Sequence, residues 1–277
     1  MEGRRALFRF DAGPRVGGGH AMRCLTLAAA LEDAGWSCRF AVSDGTLEAV
    51  APLAARAGDC IAPDAVAAAG PVDALIVDHY GWTAVEETPC RKFADAILVL
   101  DDLADRPHDA DILLDTALGR RAEDYAGLAP DACRYLLGPV YALLTPEFAA
   151  LREATLARRS AGGYLRRALV AFGLTDPDDL TSRALDGLVG RGLEVTAVLG
   201  GGAPHLDAVR AAAEALDPPA ELAVNAVDMA ARMAAADVAI GAFGTTSWER
   251  CALGLPTVGV VAADNQRVNA AALTVAG

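Results

Sequence analysis

The chain has 277 residues, is 53% hydrophobic and 22% charged, and carries a formal net charge of -13 from 24 basic and 37 acidic side chains. This composition supports a sizeable core, excludes a disordered or fibrous chain, and at this length suggests about two domains. Lys92 is the only lysine and the arginines are scattered, which argues against a phosphate-tracking nucleic-acid binder and points to a small-molecule partner.

Strands alternate with helices along the first half. Ala6–Phe10 reads as a short strand, followed by the loop Asp11–Gly19 and a helix over His20–Ala34, where Leu25, Ala28 and Leu31 recur at helical spacing and Gly35 closes the element. Next come a strand at Cys38–Val42, a helix at Thr46–Ala57, a buried strand at Ala74–Val77, a helix at Thr83–Phe93 and a strand at Ala96–Leu100. After Asp111–Leu114 and an irregular stretch to Tyr141, a helix at Pro146–Arg159 leads into Ser160-Ala161-Gly162-Gly163, which reads as a linker. The second half repeats the style, with strands at Ala168–Phe172, Glu194–Leu199, Glu221–Val224, Val238–Ile240 and Thr257–Val261. Its helices are expected at Leu180–Val189, His205–Ala215, Met229–Ala235 and from Ser247. Such an order predicts two open α/β domains with parallel sheets facing a cleft, over residues 1–160 and 164–277.

Several function classes drop out by inspection. No apolar stretch approaches the roughly 20 residues of a membrane span, and Arg4 and Arg5 precede no hydrophobic signal segment, so a cytoplasmic protein is expected. The six cysteines form no CxxC pair, which removes zinc ribbons and thioredoxin-like redox sites. Lys92 belongs to no Walker loop, GxSxG and HExxH are absent, and Met22 stands where a dinucleotide fingerprint needs its third glycine.

Ligands of open parallel sheets bind beyond the carboxyl ends of strands, and four segments lie there. In Asp11–His20, three consecutive glycines permit close backbone approach, and His20 opens a helix, where it is either a general base or a capping residue. Asp78-His79-Tyr80-Gly81 follows a buried strand, placing side chains that either face a ligand or satisfy a local hydrogen-bond network; Asp101-Asp102 follows the next strand in the same way. Phe172-Gly173-Leu174-Thr175-Asp176 is a glycine loop suited to offering backbone N–H groups to phosphate. In Gly241–Glu249, hydroxyls at a helix start can hold a diphosphate and Glu249 can accept from a ribose diol, or the same residues simply cap the helix.

Taken together, Phe8-Arg9-x-Asp11, Gly17-x-Gly19-His20-x-x-Arg23-Cys24, Val77-Asp78-His79-Tyr80-Gly81, Asp101-Asp102-Leu103-Ala104-Asp105, Gly244-Thr245-Thr246-Ser247-Trp248-Glu249-Arg250-Cys251 and Ala263-Asp264-Asn265-Gln266-Arg267 closely resemble the PseG/SpsG family over nearly the whole chain. The resemblance implies a GT-B fold like that of MurG, with the sugar side and catalytic histidine in the first domain and UDP bound by the second. It implies hydrolysis of UDP-2,4-diacetamido-2,4,6-trideoxy-β-L-altropyranose at the anomeric C–O bond with inversion, for pseudaminic acid biosynthesis. His20 matches the general base, with Tyr80 and Asp11 as helpers that orient water or sugar. Gly17, Gly19, Arg23, Gly173, Thr175, Gly244, Thr245, Thr246, Glu249, Asn265 and Gln266 are the implied substrate-binding residues; no metal and no cofactor are implied. The chain departs from the family pattern at Leu174, Phe243, Thr145, Val140 and Ala117, and its end at Gly277 reads as a shortened form. A GT-B glycosyltransferase and a non-catalytic nucleotide-sugar binder stay open beside the hydrolase, as does the oligomeric state.

Overall fold

The structure is a computed structural model that describes residues 3–13 and 16–276. Two compact units emerge, one built mainly on His20–Leu143 and the other on Leu144–Thr274.

The first unit is a seven-stranded parallel sheet. Its strands are β1 (Arg5–Phe10), β2 (Ser37–Ala41), β3 (Cys60–Ile61), β4 (Val72–Asp78), β5 (Ala94–Leu100), β6 (Ile112–Asp115) and β7 (Arg134–Leu137), in the spatial order β3-β2-β1-β4-β5-β6-β7. Parallel neighbours need crossovers, and the first is α1 (Gly19–Asp33). Gly35, at φ +85°, ends it: Gly35 N–H bonds to Glu32 O and Trp36 N–H to Leu31 O, a left-handed cap that a glycine adopts without strain. Leu7, Leu75, Val77, Ile97, Val99 and Leu113 pack into one core cluster of buried residues.

Two helices expected from periodicity are shorter than predicted, and proline is the reason in both. The stretch Thr46–Ala57 divides into α2 (Asp44–Ala49) and α3 (Ala51–Ala54) at Val50, which is extended, because Pro52 has no N–H to donate back to the preceding turn. Thr83–Phe93 becomes α4 (Ala84–Glu87) followed by a 3-10 turn over Thr88–Lys92 that contains Pro89. α4 starts from a capping box in which Thr83 Oγ1 accepts from Val85 N–H and Glu86 Oε2 accepts from Thr83 N–H. The short strands β3 and β7 were not expected; with two and four residues they carry too few positions for a period to show.

The second unit begins with α5 (Pro146–Ser160) and holds a five-stranded parallel sheet. Its elements are β8 (Arg167–Ala171), α6 (Leu180–Leu188), β9 (Glu194–Leu199), α7 (Leu206–Glu214), β10 (Glu221–Val224), α8 (Met229–Ala235), β11 (Val238–Ala242), α9 (Thr246–Ala252), β12 (Thr257–Val260) and α10 (Arg267–Ala276), with strand order β10-β9-β8-β11-β12. Phe148 of α5 is buried with Leu169, Met233 and Leu253, and Leu151 packs against them, so the division of the chain falls before this helix rather than after it. Gly241 and Ala242, expected in a loop, extend β11. No helix among the described residues is long and apolar enough to cross a membrane.

Gly241 is a tight point of this second sheet. It pairs with Ala171 of β8 and Gly259 of β12, and a Cβ there would lie 2.4 Å from Ala171 O and 2.7 Å from the buried Arg250 guanidinium. Neither neighbour is a free side-chain end, so Gly241→Ala should cost about 1–3 kcal/mol by overpacking. A lowered melting temperature with unchanged far-ultraviolet circular dichroism is the expected outcome.

Candidate active site

Parallel strands deliver their C-terminal ends to one edge of a sheet, and in the first unit those ends carry acids. Phe10 lies opposite Asp78 across the β1–β4 pair, and Val77 opposite Val99 across β4–β5, so Asp11, Asp78 and the Asp101-Asp102 pair follow one another along the edge. α1 returns to this edge with His20, Arg23 and Cys24, positions i, i+3 and i+4 of one helical face.

Asp78 is the hub. It is completely buried, and its Oδ1 lies 2.5 Å from His20 Nδ1. Arg23 grips it with two parallel bonds, Nε to Oδ2 and Nη2 to Oδ1, each 2.5 Å. Burial by itself would raise the Asp78 carboxyl, but the charge of Arg23 and the hydrogen bonds from Arg23 and His20 outweigh it and hold the group well below the usual carboxylate range. The neighbouring Cys24 thiol, 3.6 Å from Asp78 Oδ2, is pushed far up by burial and by the Asp78 charge, so it is no nucleophile.

An ionised Asp78 can only accept, so the His20 proton sits on Nδ1 and the lone pair on Nε2. Arg23 Nη2, 3.2 Å from Nδ1, is then a neighbouring cation rather than a donor to that nitrogen. The Tyr80 ring stands edge-on to the imidazole at 4.6 Å between centroids, and its hydroxyl donates to Asp102 Oδ2 at 3.1 Å. The same oxygen faces Arg23 Nη1 at 3.4 Å. His20, Arg23, Asp78, Tyr80 and Asp102 therefore form one connected group.

His79 and Asp11 form a second pair of opposite polarity. Gly81 N–H donates to His79 Nδ1 at 3.0 Å, which leaves the proton on Nε2 to donate to Asp11 Oδ2 at 3.1 Å. Both ring nitrogens of His79 are thereby used. Asp11 also accepts from Arg9 Nη2 at 2.8 Å and, on Oδ1, from Ser43 N–H and Thr46 Oγ1 at 3.3 Å each. Burial raises its carboxyl, but the bonds from His79 and Arg9 prevail and hold it far below the ordinary range. It enters any chemistry as a fixed negative charge. Of the loop glycines, Gly17 has φ +79° and exchanges backbone hydrogen bonds with Gly13, while Gly19 opens α1. Arg23, expected among the substrate contacts, turns its guanidinium onto Asp78 and Asp102. Sequence reasoning left Asp78 and Asp102 out of the site residues; their signal was the strand-end position that drew attention to Tyr80.

The second unit supplies its own strand-end loops. Gly173 has φ +104°, Thr175 is buried, and the Asp176 carboxylate accepts from Leu180 and Thr181 N–H at 3.0 and 2.8 Å, fixing the start of α6. Gly244, Thr245 and Thr246 lead into α9, where buried Arg250 donates to Ala242 O at 2.7 Å and Ser247 Oγ at 3.1 Å, tying the helix to the end of β11. Gln266 Oε1 accepts from Ala262 N–H at 2.9 Å, and Asn265 shares its 3-10 turn, Asp264–Gln266. Glu249 is less well provided for: its Oε2 is buried without a protein partner, and burial pushes the carboxyl up to about 7 despite the opposing charge of Arg250. Among the described residues no group of three or more His, Cys, Asp or Glu side chains is arranged to hold a metal ion.

Comparison with solved structures defines the class: two parallel-sheet α/β units, in a GT-B fold. MurG of Acinetobacter baumannii superposes with a TM-score of 0.58 at 16% identity, over 99% of this chain and 84% of that one. LpCGTa in complex with UDP does so with a TM-score of 0.60 at 13% identity, over 98% and 83%. A nearer sequence relative is the UDP-2,4-diacetamido-2,4,6-trideoxy-beta-L-altropyranose hydrolase of Campylobacter jejuni, 32% identical over 148 residues. That match takes in 52% of this chain and spans about half, 53%, of the curated relative. No family model matches the chain.

Two outcomes follow from these charges. Asp78→Ala leaves buried Arg23 with only the longer contact to Asp102 and should cost about 3–5 kcal/mol at neutral pH. The stability owed to the Asp78 charge is full above the unfolded value of about 4 and is lost as pH falls toward the lower folded value, so denaturant melts of wild type and variant should converge in acid. Glu249 has the opposite sign: its buried carboxyl binds a proton up to about 7, so a ligand that donates hydrogen bonds to the ionised form expels that proton. Wild type should therefore lose stability relative to Glu249→Gln as pH rises from about 4.5 to about 7 in denaturant melts, because the unfolded chain ionises there while the buried carboxyl stays protonated.

Proposed function

We propose that the chain hydrolyses a UDP-activated 2,4-diacetamido-2,4,6-trideoxy sugar, with His20 as general base. The observation that carries this reading is the imidazole held by a buried, ionised Asp78, with its proton on Nδ1 and its lone pair on Nε2. The hydrolase name of the C. jejuni relative, matched over half of each chain, supports the substrate class.

The chemistry balances with these groups alone. A water oxygen attacks the anomeric carbon while His20 Nε2 takes its proton; the C–O bond to UDP breaks with its electron pair on the β-phosphate oxygen, and attack from the opposite face inverts the anomeric centre. The imidazolium so formed sits against the Asp78 carboxylate, which stabilises its charge. A phosphate with a second pKa of about 6 leaves without a strong general acid, so the paired carboxylates of ordinary glycosidases are unnecessary. Tyr80, edge-on to His20, and the fixed charge of Asp11 are assigned the orientation of water and sugar.

Nucleotide binding is assigned to the second unit. Gly173, Thr175, Gly244, Thr245 and Thr246 offer backbone N–H and hydroxyl donors to the diphosphate, Asn265 and Gln266 flank it, and the unpartnered Glu249 carboxyl accepts from the ribose diol. Gly17, Gly19 and the glycine loop before α1 admit the sugar and diphosphate close to backbone.

The decisive assay is UDP release from a panel of UDP-2,4-diacetamido-2,4,6-trideoxy sugars in water without an acceptor. Wild type should turn over one of them; His20→Ala should lose turnover by about 100- to 10,000-fold with UDP affinity retained, and Glu249→Ala should weaken UDP binding. Release that requires an added acceptor identifies a transferase, and near wild-type turnover by His20→Ala removes the assigned base.

A further inference from the structure

A second cluster of buried ionisable groups, unused by the proposed chemistry, lies at the ends of β5 and β6. Asp101 follows β5, Asp115 closes β6, and Tyr125 ends the 3-10 turn Ala122–Tyr125; all three are at most 2% exposed. The Tyr125 hydroxyl oxygen is 2.9 Å from Asp101 Oδ2 and 2.8 Å from Asp115 Oδ2. One phenol carries one proton. If both acids were ionised, one carboxylate oxygen would face the phenol's lone pairs with no proton between them, and a buried contact of that kind is strongly disfavoured. Loss of the phenol proton offers no escape, since burial and the two carboxylates push Tyr125 far above its ordinary range.

The surroundings decide which acid keeps the extra proton. Asp101 Oδ2 also accepts from Ala104 N–H at 2.8 Å, and Arg106 Nη2 lies 2.9 Å from Oδ1; burial raises this carboxyl, but Arg106, the Ala104 bond and His108 bring it below the usual range. Asp115 Oδ1 accepts from Ala117 N–H at 2.7 Å, while Oδ2 meets Arg120 Nε and Tyr125. Here burial prevails, and the carboxyl is raised. Arg120 is shared with other acceptors: Nη2 donates to Asp102 O at 2.9 Å and Nη1 lies 3.8 Å from the Asp124 carboxylate. A neutral acid still has a lone pair on its hydroxyl oxygen with which to accept from Arg120.

We propose that Asp115 is carried as the neutral acid, its Oδ2–H donating to the Tyr125 oxygen and the Tyr125 O–H donating to Asp101 Oδ2. This relay fixes the turn Asp101–Ala104 from below, and Arg120 fixes its Asp102 carbonyl from the side. Asp102 is the residue that receives Tyr80 and faces Arg23. Asp115 and Tyr125 are thus positioning residues for the group around His20, two contacts removed from it. Their link to turnover rests on the hydrolase reading; the protonation state does not.

The test is carbon NMR of full-length protein labelled at the aspartate side-chain carboxyls, together with the infrared carbonyl stretch, at about pH 7. Wild type should show one neutral aspartic acid, which needs no variant to fold. That signal should vanish in Asp115→Asn. Absence of any neutral acid in wild type overturns the proposal, as does a signal that survives Asp115→Asn and disappears in Asp101→Asn. With the sugar nucleotide that wild type hydrolyses, Tyr125→Phe should lower kcat on the order of 10- to 100-fold with KM nearly unchanged, the pattern of a misplaced catalytic group. Unchanged kcat overturns the positioning role while leaving the spectroscopic result to stand by itself. A wild type that releases UDP but shows no neutral acid fails this inference alone, and a wild type that shows the neutral acid but hydrolyses none of the sugars fails the functional reading alone.

Discussion

A carboxylate with no exposure to water is tolerable only where protein groups replace its hydration, and Asp78 is such a carboxylate. Arg23 supplies charge and two hydrogen bonds, and His20 supplies a third. The arrangement runs in both directions: Arg23 keeps Asp78 ionised, ionised Asp78 dictates the His20 tautomer, and that tautomer leaves Nε2 with a lone pair. Everything proposed about the chemistry depends on this pair, and a neutral Asp78 would leave the imidazole proton on either nitrogen.

The two histidines at the sheet edge show how local hydrogen bonding separates like residues. His79 receives Gly81 N–H on Nδ1 and gives its Nε2 proton to Asp11, so it spends both nitrogens on the fold. His20 spends only Nδ1. Identical side chains near adjacent strand ends thus acquire opposite tautomers and different chemical capacities. The acids divide in the same manner: Asp11 and Asp78 are locked as anions by arginine and histidine partners, whereas burial with weak compensation raises Asp115 in the first unit and Glu249 in the second.

The alternation of strands and helices was legible because most strands are buried runs bounded by glycine or charge, and α1 carries an apolar face closed by Gly35. Helix lengths were less legible where Pro52 and Pro89 sit inside otherwise helical patterns, since periodicity registers side-chain polarity and not the missing backbone donor. β3 and β7 escaped notice for want of length, and β11 ran two residues further than expected through Gly241 and Ala242. In the candidate site, His20, Tyr80 and Glu249 were visible from strand-end and helix-start positions. Asp102 was marked only as half of a strand-end acid pair, and Asp115 and Tyr125 not at all, because their meaning lies in contacts across 10 to 24 positions of sequence.

By itself, the sequence determined the class of architecture, two parallel α/β sheets, and the edge at which chemistry belongs, since both follow from hydrophobic period and from the polarity of parallel strands. Tertiary structure alone decided which acid meets which base. Strand order places β4 between β1 and β5, so Asp78 from the middle strand, Asp102 from one neighbour and His20 from the first crossover converge although they are 58 and 24 positions apart in the chain. Protonation states were decided at the same level, because they depend on burial and on partners that only the folded sheet brings together.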